Sequence, residues 1–190
     1  MKIKKCFIDV ETTGLDVSKH SIHQISSIMI DENGKEIDSF NMKLRPFKAE
    51  YEQSALDIAG ITYAELLEPE RETSGACFLL FQEFLNKHVN RFNKKDRLQF
   101  VAYNSEFDER FVREWFNEHD DSFYGAYFWN PSICVMKTAA WFLRDHRAKL
   151  NSFKLKAICN FAGIKFDENL GHDSMYDITK TLELYRVLEK

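Results

Sequence analysis

The sequence is poor in residues that interrupt regular structure, with seven glycines and three prolines among 190 residues. Such a content is unlike that of collagen-like or disordered chains. Long apolar runs are also missing, and none approaches the ~20 residues needed to span a membrane. The first ten residues contain lysines and only a short apolar run before Asp9, which does not match a secretory signal peptide. We therefore expect a soluble, cytoplasmic protein.

Cysteine is scarce, and its four occurrences, Cys6, Cys77, Cys134 and Cys159, include no C-x-x-C pair. In a chain of this size and charge, a disulfide framework is not expected. Four buried thiols in a reducing compartment are the favoured interpretation.

An excess of positive charge is absent as well, since 30 acidic residues outnumber 26 basic ones and the formal net charge is −4 at pH 7. Proteins that coat nucleic acid nonspecifically are usually basic overall. A role on nucleic acid would therefore need a local basic patch, or metal ions that offset carboxylates. Apolar residues are plentiful at 44%, and the length favours a single domain over residues 1–190.

Hydrophobic patterning predicts a sheet that is covered by helices. An antiparallel meander is predicted first, with Asn33-Gly34 as a hairpin turn. Strands and helices then alternate, which is typical of a mixed α/β sheet. The predicted strands are 3–10, 24–31, 37–44 and 98–103, and the main predicted helices are 73–85, 108–119, 136–143, 157–162 and 174–188.

At two places in the sequence, acidic residues occupy positions where apolar residues are expected. Asp9 and Glu11 are two residues apart at the end of a strand, so they point to one face, about 6.6 Å apart along it. Asp108 shares the core-facing stripe of its helix with Phe111 and Trp115. The alternatives are a solvated pair of acids at a strand end and an acid that stabilises a helix N-terminus.

A further carboxylate, Asp177, lies in the first turn of the last predicted helix. Asp177 lies on the face of Thr181 and Leu184, although Ser174 to Asp177 also matches a capping box. His172 is predicted to lie in the loop before this helix, where it either reaches the site or is an ordinary surface or core histidine. Four carboxylates without basic partners indicate divalent metal, and two ions ~3.5–4 Å apart can serve phosphodiester hydrolysis. A histidine beside them could accept the proton of water.

Three motifs in order resemble those of the DnaQ-like exonuclease superfamily, which includes the proofreading subunit of bacterial replicative polymerases. Residues 7–15, FIDVETTGL, resemble its first motif, and residues 102–108, AYNSEFD, its second. His172-x-x-x-x-Asp177 resembles the third motif in its His-containing, DEDDh form. Residues 55–62 resemble a further family segment.

The resemblance implies an RNase H-like fold, a five-stranded mixed sheet flanked by helices, and 3′-to-5′ exonuclease activity that releases 5′-nucleoside monophosphates. It also implies two Mg²⁺ or Mn²⁺ ions held by the four carboxylates, with His172 as the general base. The 3′ end of a single strand would meet Thr12, Leu15 and Asn104. The expected substrate is single-stranded DNA, and an RNA-trimming or oligoribonuclease-type exoribonuclease is the alternative. An end-binding module with an inactive site is a third hypothesis, and the intact metal and base set argues against it.

Other parts of the sequence bear on partners and substrate preference. Tyr103, Asp173 and Ser174 depart from residues common in the family, which affects substrate preference and not the metal ligands. The sequence ends at Lys190, soon after the last predicted helix, so an exonuclease without a polymerase-tethering segment is expected. Residues 144–156 hold five basic residues against one acid. They form either a strip along the phosphates of a single strand or a solvated surface.

Overall fold

The structure, a computed structural model, describes residues 3–189. Within that range the chain forms one five-stranded sheet in the order β3-β2-β1-β4-β5. The strands are β1 (Lys5–Thr12), β2 (Ile22–Ile30), β3 (Glu36–Lys43), β4 (Leu98–Ala102) and β5 (Phe128–Cys134). The α-helices are α1 (Gln53–Ala59), α2 (Tyr63–Leu66), α3 (Ser74–Asn86), α4 (Ser105–Glu118), α5 (Tyr124–Tyr127), α6 (Val135–Phe142), α7 (Leu155–Phe161) and α8 (Ser174–Leu188), and a 3₁₀ helix covers Arg144–Lys149.

The sheet is mixed, as the sequence predicts. Strands β1, β2 and β3 form the antiparallel meander, and Gly34 adopts the left-handed φ of 84° that its hairpin turn requires. Strands β4 and β5 run parallel to β1. Parallel strands end at the same edge of a sheet, so the end of β1 and the segment after β4 lie side by side. That edge holds the candidate site.

Both faces of the sheet are buried. Cys6 and Ile8 of β1 belong to one hydrophobic cluster with α3 and α4, whereas Phe7 belongs to a second cluster with α6, α7 and α8. The alternation of β1 residues between two clusters explains why this strand reads as an unbroken apolar run. The acidic residues at its end are therefore exceptional within a buried strand.

Most predicted elements are confirmed, with shifts of a few residues at their ends. The sequence does not predict β5, because Asn130, Pro131 and Ser132 interrupt its apolar residues and a proline in the middle argues against a strand. Helix α4 begins at Ser105, earlier than predicted, and this places Asp108 in its first turn. The four cysteines are buried and free, as expected. Among residues 3–189, no helix is both long and apolar enough to cross a membrane.

Candidate active site

Asp9 and Glu11 lie at the end of the central strand, on the face that packs toward α8. Their partners across β2 are Ser26 and Gln24, so the polar character continues onto the neighbouring strand. Both carboxylates are half-buried. Burial raises the pKa of Asp9 and of Glu11 well above the usual range, and the neighbouring carboxylates raise both pKa values further.

Asp108 reaches the same edge from the first turn of α4. The side chain is 4% exposed, which confirms that the residue faces the core. One carboxylate oxygen, Oδ1, accepts a hydrogen bond of 3.2 Å from the backbone N–H of Val10, between the two acids of β1. Burial raises the pKa of Asp108 to about 7, although this hydrogen bond opposes the shift.

Asp177 and His172 come from the segment that leads into α8. The capping-box interpretation of Ser174 is wrong, because Asp173 is the N-cap and accepts from the N–H groups of Met175 and Tyr176. His172 is exposed in the preceding loop, as predicted, with a left-handed φ of 67°. Its backbone N–H lies 3.4 Å from Oδ2 of Asp177, while Oδ1 of Asp177 is buried and has no hydrogen-bond partner.

The four carboxylates repel one another and are not neutralised by protein cations. Within residues 3–189, none of them forms an ion pair with lysine or arginine. Burial is the main cause that raises the pKa of Asp177, as for the other three. One ligand atom each from Glu11, His172 and Asp177 lies within 4.8 Å of the others. The two carboxylates of this set suit a hard divalent cation, and the imidazole lies at the edge of the site.

We expect the Asp108 carboxyl to lower the stability of the metal-free protein as the pH rises from about 4 to about 7. An unfolded aspartate titrates near 3.9, whereas the pKa of Asp108 in the fold is about 7. In this interval the folded chain holds a proton at Asp108 that the unfolded chain has released, so the contribution of this carboxyl to the free energy of unfolding falls. The measurement is the Tm against pH in EDTA, for the wild type and for Asp108→Asn.

The variant removes this carboxyl together with the repulsion that it exerts on Asp9 and Glu11. Its Tm should fall less over the interval, and Mg²⁺ added at the upper end should raise the Tm of the wild type by binding the folded state. Parallel curves for the two proteins would contradict the assignment of a buried, proton-binding carboxyl at Asp108.

An open cavity of about 970 Å³ lies beside the carboxylates. Leu15, Asn104, His172 and Asp177 all line it, so the structure brings these four predicted residues together. Leu15 is 67% exposed, although it is apolar. Thr12 does not line this cavity; its hydroxyl donates a hydrogen bond of 2.8 Å to the carbonyl of Gly14, within the loop that carries Leu15.

A polar network beneath the site was not predicted from the sequence. Gln24 Nε2 donates to Asp173 Oδ2 at 3.2 Å, and the hydroxyls of Ser26 and Ser174 lie 2.6 Å apart. These contacts fix the start of α8, and with it His172 and Asp177, against β2. The sequence feature that could have indicated this network is the pair Gln24 and Ser26, which lie on one face of a buried strand, opposite Asp9 and Glu11.

Lys154 and Lys156 belong to the basic segment 144–156, but the sequence does not predict that they form the cavity walls. Phe153, Lys154, Lys156 and Phe166 contribute to them from the segments around α7. The hydroxyl of Tyr103 donates to the carbonyl of Phe153 and so ties this wall to the end of β4.

The five-stranded mixed sheet with its flanking helices has the RNase H-like architecture. Structures of E. coli exonuclease I superpose with TM-scores of 0.79 for a zinc-bound form in complex with single-stranded DNA and 0.78 for a complex with a dT13 oligonucleotide. Identity is 20% in both cases, and coverage is 100% and 99% of this chain but 41% of each exonuclease I chain. The present chain thus matches under half of exonuclease I, and the likeness shows the fold.

A family model described as exonuclease, of the RNase T type, matches residues 6–185. The chain therefore belongs to this exonuclease family, within the DnaQ-like superfamily that its motifs resemble, and its family consists of metal-dependent nucleic-acid hydrolases. Ribonuclease T of Photorhabdus laumondii is 28% identical over 94% of this chain and 80% of its own length. The DNA polymerase III subunit epsilon of Aquifex aeolicus is 28% identical over 96% of this chain and 79% of its own length.

Proposed function

We propose that the chain, as one exonuclease domain over residues 1–190, is a metal-dependent 3′–5′ exonuclease that releases 5′-nucleoside monophosphates from single-stranded DNA ends. The observation that carries the proposal is a set of four carboxylates whose mutual repulsion raises the pKa of Asp9 and Glu11, without an ion pair to a protein cation within residues 3–189, beside an open cavity that Asp177 and His172 line. A buried cluster of this kind is unfavourable unless cations offset its charge.

The donor set fits a pair of Mg²⁺ or Mn²⁺ ions. Asp177 Oδ1 is buried without a hydrogen-bond partner, which leaves a carboxylate oxygen free to ligate. Asp9, Glu11, Asp108 and Asp177 would hold the ions. When bound, the ions supply positive charge where negative charge develops on the phosphodiester during hydrolysis.

The remaining residues of the site would act on the strand and on water. His172 is exposed at the cavity, so its imidazole can accept a proton from the attacking water. Hydrogen bonding of its backbone to Asp177 holds the loop at the carboxylates. Asn104 and Leu15 line the same cavity and would contact the terminal nucleotide, with Thr12 supporting the loop of Leu15 and meeting the 3′-hydroxyl through its backbone.

The relatives support two substrates. Exonuclease I, which shares the fold, was solved with single-stranded DNA, and this favours DNA. Ribonuclease T enzymes match most of this chain, which supports a 3′–5′ exoribonuclease as the second candidate function. Discrimination would depend on a few contacts to the 2′-hydroxyl at the cavity.

A digestion assay with 5′-labelled DNA and RNA strands of equal sequence tests the proposal. We expect shortening from the 3′ end with Mg²⁺ or Mn²⁺, faster on DNA, and no hydrolysis in EDTA. A 3′-phosphorylated strand and a circular single strand should resist, since neither offers a free 3′-hydroxyl. Undiminished hydrolysis in EDTA would overturn the metal assignment, cleavage of the circle would indicate an endonuclease, and faster digestion of RNA would favour the second candidate.

A further inference from the structure

One surface beside the catalytic cavity combines exposed aromatic rings with positive charge. We define the basic-aromatic strip as Trp141, Phe142, Arg144, Arg147, Lys149 and Phe153. Trp141 is 68% exposed and Phe142 52%, which is unusual for rings of this size in adjacent positions. Every residue of the 3₁₀ helix Arg144–Lys149 is exposed, so its cations face solvent.

The two arginines of the strip lie over two of its rings. The guanidinium of Arg144 is 4.9 Å from the centroid of Trp141, and that of Arg147 is 5.1 Å from the centroid of Phe153. Each arginine also donates to a backbone carbonyl, Arg144 to Trp141 and Arg147 to Leu150, both at 2.9 Å. The two arginines are therefore held beside aromatic rings, and the strip presents flat and positively charged groups next to each other. Asp145 is the one acid of the 3₁₀ helix, and it lies 3.9 Å from Arg144.

The strip is continuous with the catalytic cavity. Phe153 lines the cavity with His172, and the neighbouring Lys154 and Lys156 line it too. Met136, in the first turn of α6, also lines the cavity, and the helix runs from there to Trp141 over about 8 Å along its axis at 1.5 Å per residue. A strand whose 3′ end occupies the cavity can thus leave it along this surface.

We propose that the basic-aromatic strip binds the part of a single-stranded nucleic acid that lies upstream of the terminal nucleotides. Phosphates would meet Arg144, Arg147 and Lys149, and bases would stack on Trp141 and Phe142. The chemistry of the strip favours a single-stranded nucleic acid, because its phosphates complement the cations and its exposed planar bases can stack on the rings. The direction of the strand in this inference rests on the proposed exonuclease function. The inference predicts that a long strand binds more tightly than a short one, because only the long strand reaches the strip.

The test compares oligothymidylates of two lengths, a dinucleotide and a strand of about 12 nucleotides, within the range of known single-strand sites. Binding is measured by fluorescence anisotropy in EDTA over a series of salt concentrations, and hydrolysis separately with Mg²⁺. The variants are Trp141→Ala and the double variant Arg144→Ala with Arg147→Ala. Loss of one stacked base should raise the Kd of the long strand by about 5- to 150-fold.

The double variant should reduce the slope of log Kd against log salt by about 1.4, or roughly 0.7 for each phosphate that the variant no longer neutralises. For the dinucleotide, kcat/KM should stay at the wild-type value in both variants, because it does not reach beyond the cavity.

Matched controls come from the opposite edge of the sheet, in the segment before β4. Phe92 is 89% exposed, with the guanidinium of Arg91 5.7 Å from its ring, and Lys94 and Lys95 are exposed. Phe92→Ala and the double variant Lys94→Ala with Lys95→Ala should bind both strands as the wild type does.

The outcomes separate the strip from the catalytic proposal. Unchanged binding of the long strand by the strip variants would overturn the inference, as would a wild type that binds both lengths equally. Failure to hydrolyse either strand would instead reject the exonuclease proposal, while the binding data in EDTA would still decide whether the strip holds nucleic acid.

Discussion

Replacing Asp108 by asparagine is expected to reduce kcat by about 10³-fold or more, while the fold is kept. The metal site supplies several kcal/mol of charge stabilisation, and each 1.36 kcal/mol corresponds to a tenfold change in rate. Asparagine retains an oxygen that can accept the hydrogen bond from Val10, so the contact between α4 and β1 survives. The measurement is single-turnover hydrolysis of a labelled strand at saturating Mg²⁺.

Loss of activity in this variant should coincide with a gain of stability in EDTA above pH 7. Asparagine removes a buried charge that nearby carboxylates repel, and a gain of ~1 kcal/mol would raise the Tm by about 2–4 °C in a chain of this size. Glu106→Gln is the matched control, since Glu106 lies in the same helical turn but is exposed and pairs with Lys137. Wild-type turnover in Asp108→Asn would remove this residue from the site.

His172→Ala should be slow but not inactive, with a loss of about 10²–10⁴-fold in kcat. In the proposed role, the imidazole accepts the proton of water, whereas the carboxylates hold the metal. The wild-type rate should therefore fall on the acidic limb of the pH–rate profile, because protonated imidazole cannot accept a proton. In the variant this limb should flatten or move.

A dinucleotide substrate confines this comparison to the cavity. His146→Ala is the control, since His146 is exposed in the 3₁₀ helix and does not line the cavity. The Mg²⁺ concentration for half-maximal rate separates the two roles of His172. If it rises strongly in His172→Ala while the pH profile keeps its shape, the histidine is a metal ligand, as its closeness to Glu11 and Asp177 allows.

The positions of the acidic residues could be predicted because each one contradicts a pattern. Asp9 and Glu11 follow an apolar run, and Asp108 interrupts the apolar stripe of α4, so both departures are visible in the sequence alone. The order of the three motifs also indicated the family, the RNase H-like sheet and the pairing of Asp177 with His172. These features depend on local periodicity, which a sequence records directly.

Other features depend on tertiary contacts that no local pattern records. Asp173 and Ser174 are both good helix caps, and what decides between them is the contact of Ser174 with Ser26 on a distant strand. Strand β5 is an edge strand that contains Pro131, so pairing with β4 overrides its own weak strand preference. The cavity wall around Phe153 is irregular backbone, held by Tyr103 from the end of another strand.

The distribution of the acidic residues along the chain has a consequence for biosynthesis. Asp9 and Glu11 lie in the first strand, whereas Asp177 and His172 come with α8, after every other described element. A nascent chain can build the meander and the central strands before α8 has emerged, since domains begin to fold from their N-terminal parts during synthesis. Such a chain has an incomplete acidic site. It would therefore become catalytically active only after α8 has left the ribosome and packed against the sheet.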